Sequence, residues 1–195
     1  MVVCGSKTYS LGLLEPLLDS IRSEGFTPYV FHGSLPDAPV ETVRSGVAYA
    51  KEHDVSAIVA FGGGSAMDTA KAIACILDVE GDIVAYCKGL IKPTRRSKLL
   101  FAIPTTCGTG SESTDIGVVL DQEENYKYIF SNPFAGPDVA ILDPVQMCIR
   151  DRHIRQVKLF SPDDDHVNIR GRVGLLSGVG PEQDCLFRMI FFQQG

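Results

Sequence analysis

What this chain lacks narrows its class before any motif is read. No apolar run approaches the roughly 18 residues that a membrane-spanning helix requires. No basic stripe with interleaved aromatics occurs, and 18 Lys and Arg against 24 Asp and Glu leave a formal charge of −6. That balance disfavours nucleic acid and anionic membranes as partners. The opening residues Met1-Val-Val-Cys-Gly5 contain no basic segment followed by a long apolar one, so a secretory signal is not expected and the cytoplasm is the expected location. Cysteines stand at 4, 75, 87, 107, 148 and 185 without any Cys-x-x-Cys pair; they read as reduced core or strand residues, not a disulfide frame or a zinc site. Internal repeats and low-complexity tracts are absent.

What is present is an alternation of strand and helix signals. Val2–Cys4 reads as a strand, 11–24 as a helix, Pro28–His32 as a strand, 39–53 as a helix, 55–61 as a strand and 65–77 as a helix. Further strands are expected at 99–103, 116–120, 126–130 and 138–142, with Asp121-Gln-Glu-Glu-Asn125 as a polar hairpin loop between two of them. Val40, Val43, Val47 and Ala50 form one apolar stripe, with Pro39 suited to the first turn; Ala70, Ile73, Ala74 and Leu77 form another. This order predicts an α/β protein with a parallel sheet flanked by helices. At 195 residues the chain is long enough for about one to one and a half domains with a full core.

Two loops carry the chemistry. The apolar run Val55–Ala60 leads into Phe61-Gly-Gly-Gly-Ser-Ala-Met-Asp-Thr-Ala-Lys71, where glycines let backbone N–H groups approach an anion and a helix N-terminus favours negative charge. Ser65-x-x-Asp68 reads as a capping box with Asp in place of Glu or Gln. Met67 stands where the dinucleotide fingerprint needs a glycine, and no Gly-Lys-Ser/Thr follows to make a P-loop. By itself such a turn is as often a tight connection as a ligand site. The second loop, Ile103-Pro-Thr-Thr-Cys-Gly-Thr-Gly-Ser-Glu112, follows the apolar run Leu99–Ile103 and is rich in hydroxyls; its bland reading is a polar turn ending in a cap, Thr109-x-x-Glu112. Both loops leave apolar strands, and in an open parallel sheet they fall on the edge where α/β proteins bind ligands.

The pair GGGSAMDTAKAIA (62–74) and IPTTCGTGSESTDIG (103–117) resembles the iron-containing, or group III, alcohol dehydrogenases. The likeness extends through Lys127 and Gly136-Pro-Asp-Val-Ala-Ile-Leu-Asp-Pro144, covering roughly residues 1 to 146. It implies a Rossmann-like dinucleotide-binding domain over 1–146, partial because relatives carry about one more strand and helix before it. It also implies the lack of the family's C-terminal all-helical metal domain. Residues 147–195 match neither that domain nor its Gly-Met-Asp-x-x-x-His segment, and Met147-Cys-Ile-Arg-Asp-Arg152 resembles translated adapter sequence; the tail is expected to be irregular or foreign. Asp163, Asp164, Asp165, His153 and His166 read as a solvated loop before they read as metal ligands, and His32 and His53 as structural or exposed.

By the same resemblance the whole protein would transfer a hydride between an alcohol and NAD(P), with Fe2+ as a Lewis acid whose ligands are missing here, so that this chain alone would be inactive. No catalytic or metal residue is expected in it. Gly63, Gly64 and Ser65 would hold the pyrophosphate and Asp68 would fix the loop at the helix start. Thr105, Thr106 and Thr109 would line the cofactor, and Lys127 would reach it as a cation, its bland alternative being a surface lysine. Many NAD-using relatives place an Asp just after the first strand; Ser6 stands there, beside Gly5 and Lys7, which favours NADP over NAD because a carboxylate would repel a 2′-phosphate. The expected partners are a small alcohol or aldehyde and, for the whole protein, further copies of itself. Two alternatives stay open: a glycerol dehydrogenase or dehydroquinate synthase type of the same superfamily, against which the Pro-Thr-Thr-x-Gly-Thr-Gly-Ser-Glu loop speaks, and a stand-alone nucleotide-binding module.

Overall fold

The computed structural model describes residues 1–93, 96, 98–143 and 189–191. Its main sheet holds six strands in the order β2-β1-β3-β4-β7-β8: β1 Val2–Gly5, β2 Val30–Ser34, β3 Ala57–Gly62, β4 Leu99–Pro104, β7 Val139–Ile141 and β8 Met189–Phe191. The first five named neighbours pair in parallel and β8 pairs antiparallel with β7. A parallel sheet covered by helices is thus present, as the alternation of signals predicts. Apart from Met189–Phe191, the tail and the acidic and histidine residues weighed within it lie outside the described residues.

The period of two along each strand sorts side chains onto two faces. Val2, Cys4, Phe61, Ile103, Val139 and Ile141 face one way, against Leu14 and Leu18 around helix α2 (Glu15–Ser23). Val3, Ile58, Ala60, Leu100 and Ala102 face the other way, against α3 (Val40–Glu52) and α4 (Gly64–Ile76). The expected stripes hold: Val40, Val43, Ala50, Ala70, Ile73, Ala74 and Leu77 are buried, and Val47 is half-buried against the same core. Between α2 and β1 lies a short helix, α1 (Ser6–Ser10); the helix expected over 11–24 begins only at Glu15 because Pro16 fits the first turn and no later one. Likewise β2 starts at Val30 and not at Pro28, which has no N–H for a ladder.

The strands expected at 116–120 and 126–130 form the predicted hairpin, β5 (Ile116–Asp121) and β6 (Tyr126–Ser131), as a separate two-stranded sheet. It covers the side of α4 turned away from the main sheet, with Val119 and Phe130 buried in the same core cluster. This cover explains why α4 is apolar almost all round, a pattern proper to a helix enclosed on every side. A further short helix, α5 (Ile83–Cys87), has Asp82 as its N-cap, accepting from the Ala85 N–H. None of the described helices is long and apolar enough to cross a membrane.

Helix α3 meets α4 at Gly46, where a Cβ would run into Ile73 Cδ1 and stand 3.3 Å from Phe31 Cε1. Gly46→Val is expected to destabilise the fold by about 1–3 kcal/mol through overpacking, read as a lower urea midpoint with an unchanged slope.

Candidate nucleotide-binding site

β1 connects outward to β2 and, through α3, back to β3 on its other side, so the chain reverses direction across the sheet between β1 and β3. At such a switch point the crevice beyond the carboxyl ends of the strands is the usual ligand position. Ser6 opens α1 at the end of β1, exposed and with no side-chain cap at Gly5. On the neighbouring strand, Gly63 follows the end of β3 in an extended conformation and is the N-cap of α4.

β3 and β4 stay in register from Ala57↔Leu99 to Gly62↔Pro104, so both glycine- and hydroxyl-rich loops start at one level. The Thr105 N–H donates to the Gly62 carbonyl at 2.9 Å. A Cβ at Gly63 would stand 3.0 Å from Thr106 Oγ1, and one at Gly64 would stand 3.4 Å from Thr109 Cγ2. The structure therefore brings Gly63, Gly64, Ser65, Thr105, Thr106 and Thr109 together, with a side chain at Gly63 crowding Thr106 and one at Gly64 in ordinary contact with Thr109.

The two capping motifs act differently from expectation. Helix α4 begins at Gly64 with Gly63 as its N-cap, two residues earlier than a Ser65 cap requires, so Asp68 lies beyond reach of the helix start. Ser65 Oγ instead accepts the Asp37 N–H at 3.1 Å, and Asp68 turns to the second loop and the hairpin, accepting Ser111 Oγ–H at 2.9 Å and the Val118 N–H at 3.3 Å. Thr109-x-x-Glu112 starts no α-helix: Gly110, at φ 65°, leads into a single 3-10 turn, Ser111–Ser113, and Thr109 Oγ1 accepts the Ser111 N–H at 3.4 Å.

Sequence reasoning missed Lys71, which is 1% exposed. Its Nζ donates to Ile116 O at 2.8 Å, Thr114 Oγ1 at 3.2 Å and Ser111 Oγ at 3.5 Å, using its full donor set. Burial pushes its ammonium below the ordinary lysine value, with Asp68, Asp115 and Glu112 pulling the other way. Burial likewise pushes the Asp68 carboxyl up, opposed by the Ser111 hydroxyl, Lys71 and the Val118 N–H. The available signal was a lysine between Ala70 and Ala72 in a helix otherwise apolar but for Ser65, Asp68 and Thr69 in its first turns.

Lys127 lies on β6, and its Nζ is 2.7 Å from Asp37 Oδ1, both side chains being about half exposed. Since the Asp37 N–H bonds Ser65, the ammonium is tied to the start of α4 through one intervening residue. His32 stacks on Tyr9 with ring centroids 4.7 Å apart, and His53 shares Nδ1 with the Tyr49 carbonyl at 2.9 Å. Cys4 and Cys75 are buried free thiols, whereas Cys107 is exposed in the second loop. Among the described residues no three His, Cys, Asp or Glu side chains gather where a metal ion could be held, so these residues do not fit an iron site.

This geometry defines a Rossmann-like α/β domain with a parallel sheet flanked by helices, and comparison with known proteins places it more narrowly. Residues 1–144 match the family model of iron-containing alcohol dehydrogenases, and the chain belongs to that family. Choline dehydrogenase of Bacillus subtilis is 34% identical over 146 residues, 74% of this chain and 36% of that protein. NAD-dependent methanol dehydrogenase of Bacillus methanolicus is 35% identical over 147 residues, 75% of this chain and 38% of that one. Among solved structures, NADH-dependent butanol dehydrogenase A of Thermotoga maritima matches with a TM-score of 0.71 at 28% identity, covering 76% of this chain and 37% of that one. Sulfoacetaldehyde reductase of Bifidobacterium kashiwanohense, solved with NAD+, gives 0.71 at 31% identity, covering 76% of this chain and 39% of that one. The chain thus spans a little over a third of the length of these relatives.

Gly63→Val, which would wedge the loops apart at Thr106, is expected to weaken NADPH binding on the order of tenfold or more while lowering stability by only about 1–3 kcal/mol. Nucleotide titration beside urea unfolding separates the two effects.

Proposed function

We propose that this chain is the cofactor-binding part of an alcohol or aldehyde oxidoreductase, holding NAD(P) across the carboxyl edge of its parallel sheet. The observation that carries the reading is the joining of the two loops at Gly62 O and Thr105 N, with Thr106 and Thr109 closing on Gly63 and Gly64. The donor set suits a dinucleotide: backbone N–H groups at the start of a 13-residue helix for the pyrophosphate, and short hydroxyls beside them for phosphate and ribose oxygens. Gly63, Gly64 and Ser65 hold the pyrophosphate; Thr105, Thr106 and Thr109 bind alongside. Lys127 supplies a positive charge from the hairpin, while Asp68 holds the second loop in place through Ser111. Ser6 and Lys7, both exposed at the end of β1, receive a 2′-phosphate, so NADP is favoured over NAD.

The nicotinamide ring supplies hydride acceptance or donation, chemistry that belongs to the cofactor and not to any side chain of this domain. The domain's own task is to bind and orient. The described residues hold no iron site, and no step is assigned to a metal on them. Small alcohols or aldehydes as substrates, iron in the remaining part and association of the whole protein with copies of itself belong to the same proposal, supported by family membership, as does the lack of turnover by this chain without its remaining part.

Titration of the chain with NADPH and NADH is expected to show saturable binding, tighter for NADPH, and Ser6→Asp is expected to shift the preference towards NADH. Equal affinities for the two nucleotides before and after the substitution would refute the NADP assignment, and no binding of either would refute the whole reading. Burial raises the Cys75 thiol to about 12 and Cys4 to about 11, so at pH 8 a thiol reagent should modify Cys107 well before these two. Bound NADPH should slow modification at Cys107, as mapped by peptide mass spectrometry.

A further inference from the structure

The loop Thr105–Ser111 is hydrogen-bonded to the rest of the fold at its two ends, with Thr106 and Thr109 resting over Gly63 and Gly64 between them. Its start is fixed by the Thr105 N–H on Gly62 O at 2.9 Å. Its middle is exposed at Cys107, Gly108 and Thr109, and Gly108 (φ 99°) and Gly110 (φ 65°) place it in backbone regions that impose little stiffness. The far end is fixed at Ser111, whose hydroxyl hydrogen goes to Asp68 Oδ1 at 2.9 Å while the oxygen faces Lys71 Nζ at 3.5 Å. The same ammonium holds Thr114 Oγ1 and Ile116 O, on the other side of the 3-10 turn.

We propose that Lys71 is a positioning residue for the nucleotide: by gripping both flanks of the Ser111–Ser113 turn it sets where Thr106 and Thr109 stand over Gly63 and Gly64. The argument rests on the reading that these two loops hold a nucleotide. A buried charge network of this kind is weak evidence for stability, because replacing the whole of it by apolar residues of similar volume is often neutral, whereas removing one partner alone is destabilising. Its contribution is placement. A methionine at 71 would fill the same space inside α4 while leaving Ser111 bonded to Asp68 alone and the Thr114 and Ile116 oxygens without their cation. The hairpin would stay packed through Val119 and Phe130, but the second loop would lose its fixed end.

The test uses the full 195-residue chain. Lys71→Met and Ser111→Ala are each expected to remain folded by circular dichroism and to weaken NADPH binding on the order of tenfold, with Ser111→Thr, which keeps the hydroxyl, within about threefold of the unmodified chain. A folded Lys71→Met variant that binds as tightly as the unmodified chain overturns the proposal; if Lys71→Met does not fold, unaltered binding by Ser111→Ala overturns it instead. Should the unmodified chain bind neither NADPH nor NADH, the reading of the site fails by itself, and amide hydrogen exchange decides the positioning role. Faster exchange over 106–111 in Lys71→Met, with β1 and β3 unchanged, upholds the role, and unchanged exchange over 106–111 removes it.

Discussion

The parallel pairing of β3 with β4 governs everything built above it. Six consecutive residue pairs, from Ala57↔Leu99 to Gly62↔Pro104, bring the two strands to the same height before either loop begins. A slip of one residue would exchange the faces of Ile58, Ala60, Leu100 and Ala102, all buried against α3 and α4, so the register is held by the core and not by the loops. The loops inherit that precision. Their contact at Gly63 and Thr106 follows from strands that have nowhere else to end.

Helix α4 connects this edge to the rest of the molecule. Its N-terminus faces the crevice, its apolar residues lie between the main sheet and the hairpin, and its two charged side chains, Asp68 and Lys71, reach outward one turn apart to the segment 111–118. No buried side-chain nitrogen or oxygen among the described residues is left without a partner, so the charge inside this layer is fully answered by hydrogen bonds.

Local signals revealed the architecture well wherever a period or a breaker was strong. The stripes of α3 and α4, the hairpin at Asp121–Asn125 and the two glycine- and hydroxyl-rich loops were all legible because each is set by residues within one or two turns of each other. The start of α2 was misplaced although Pro16 marks it, and α5 was missed because five residues carry too little periodicity. The hydrogen-bond partners of the site were not legible. Ser65 bonds Asp37, 28 positions away, and Lys127 pairs with Asp37 across 90, distances over which a capping pattern has nothing to say. The short motif Ser65-x-x-Asp68 pointed to a local bond, and tertiary packing gave both side chains more distant partners.

The hairpin is fastened to α4 by ties of unlike character. Near β5 the fastening is Lys71 and Asp68, enclosed in protein; at β6 it is the open pair of Lys127 with Asp37. Exposed pairs of that kind contribute roughly 0–1 kcal/mol and fade when ionic strength brings the Debye length down to about 8 Å or less. Dissolved salt therefore loosens this one tie on β6 while Phe130 on the same strand stays packed in the core, and the enclosed ties at β5 are screened far less.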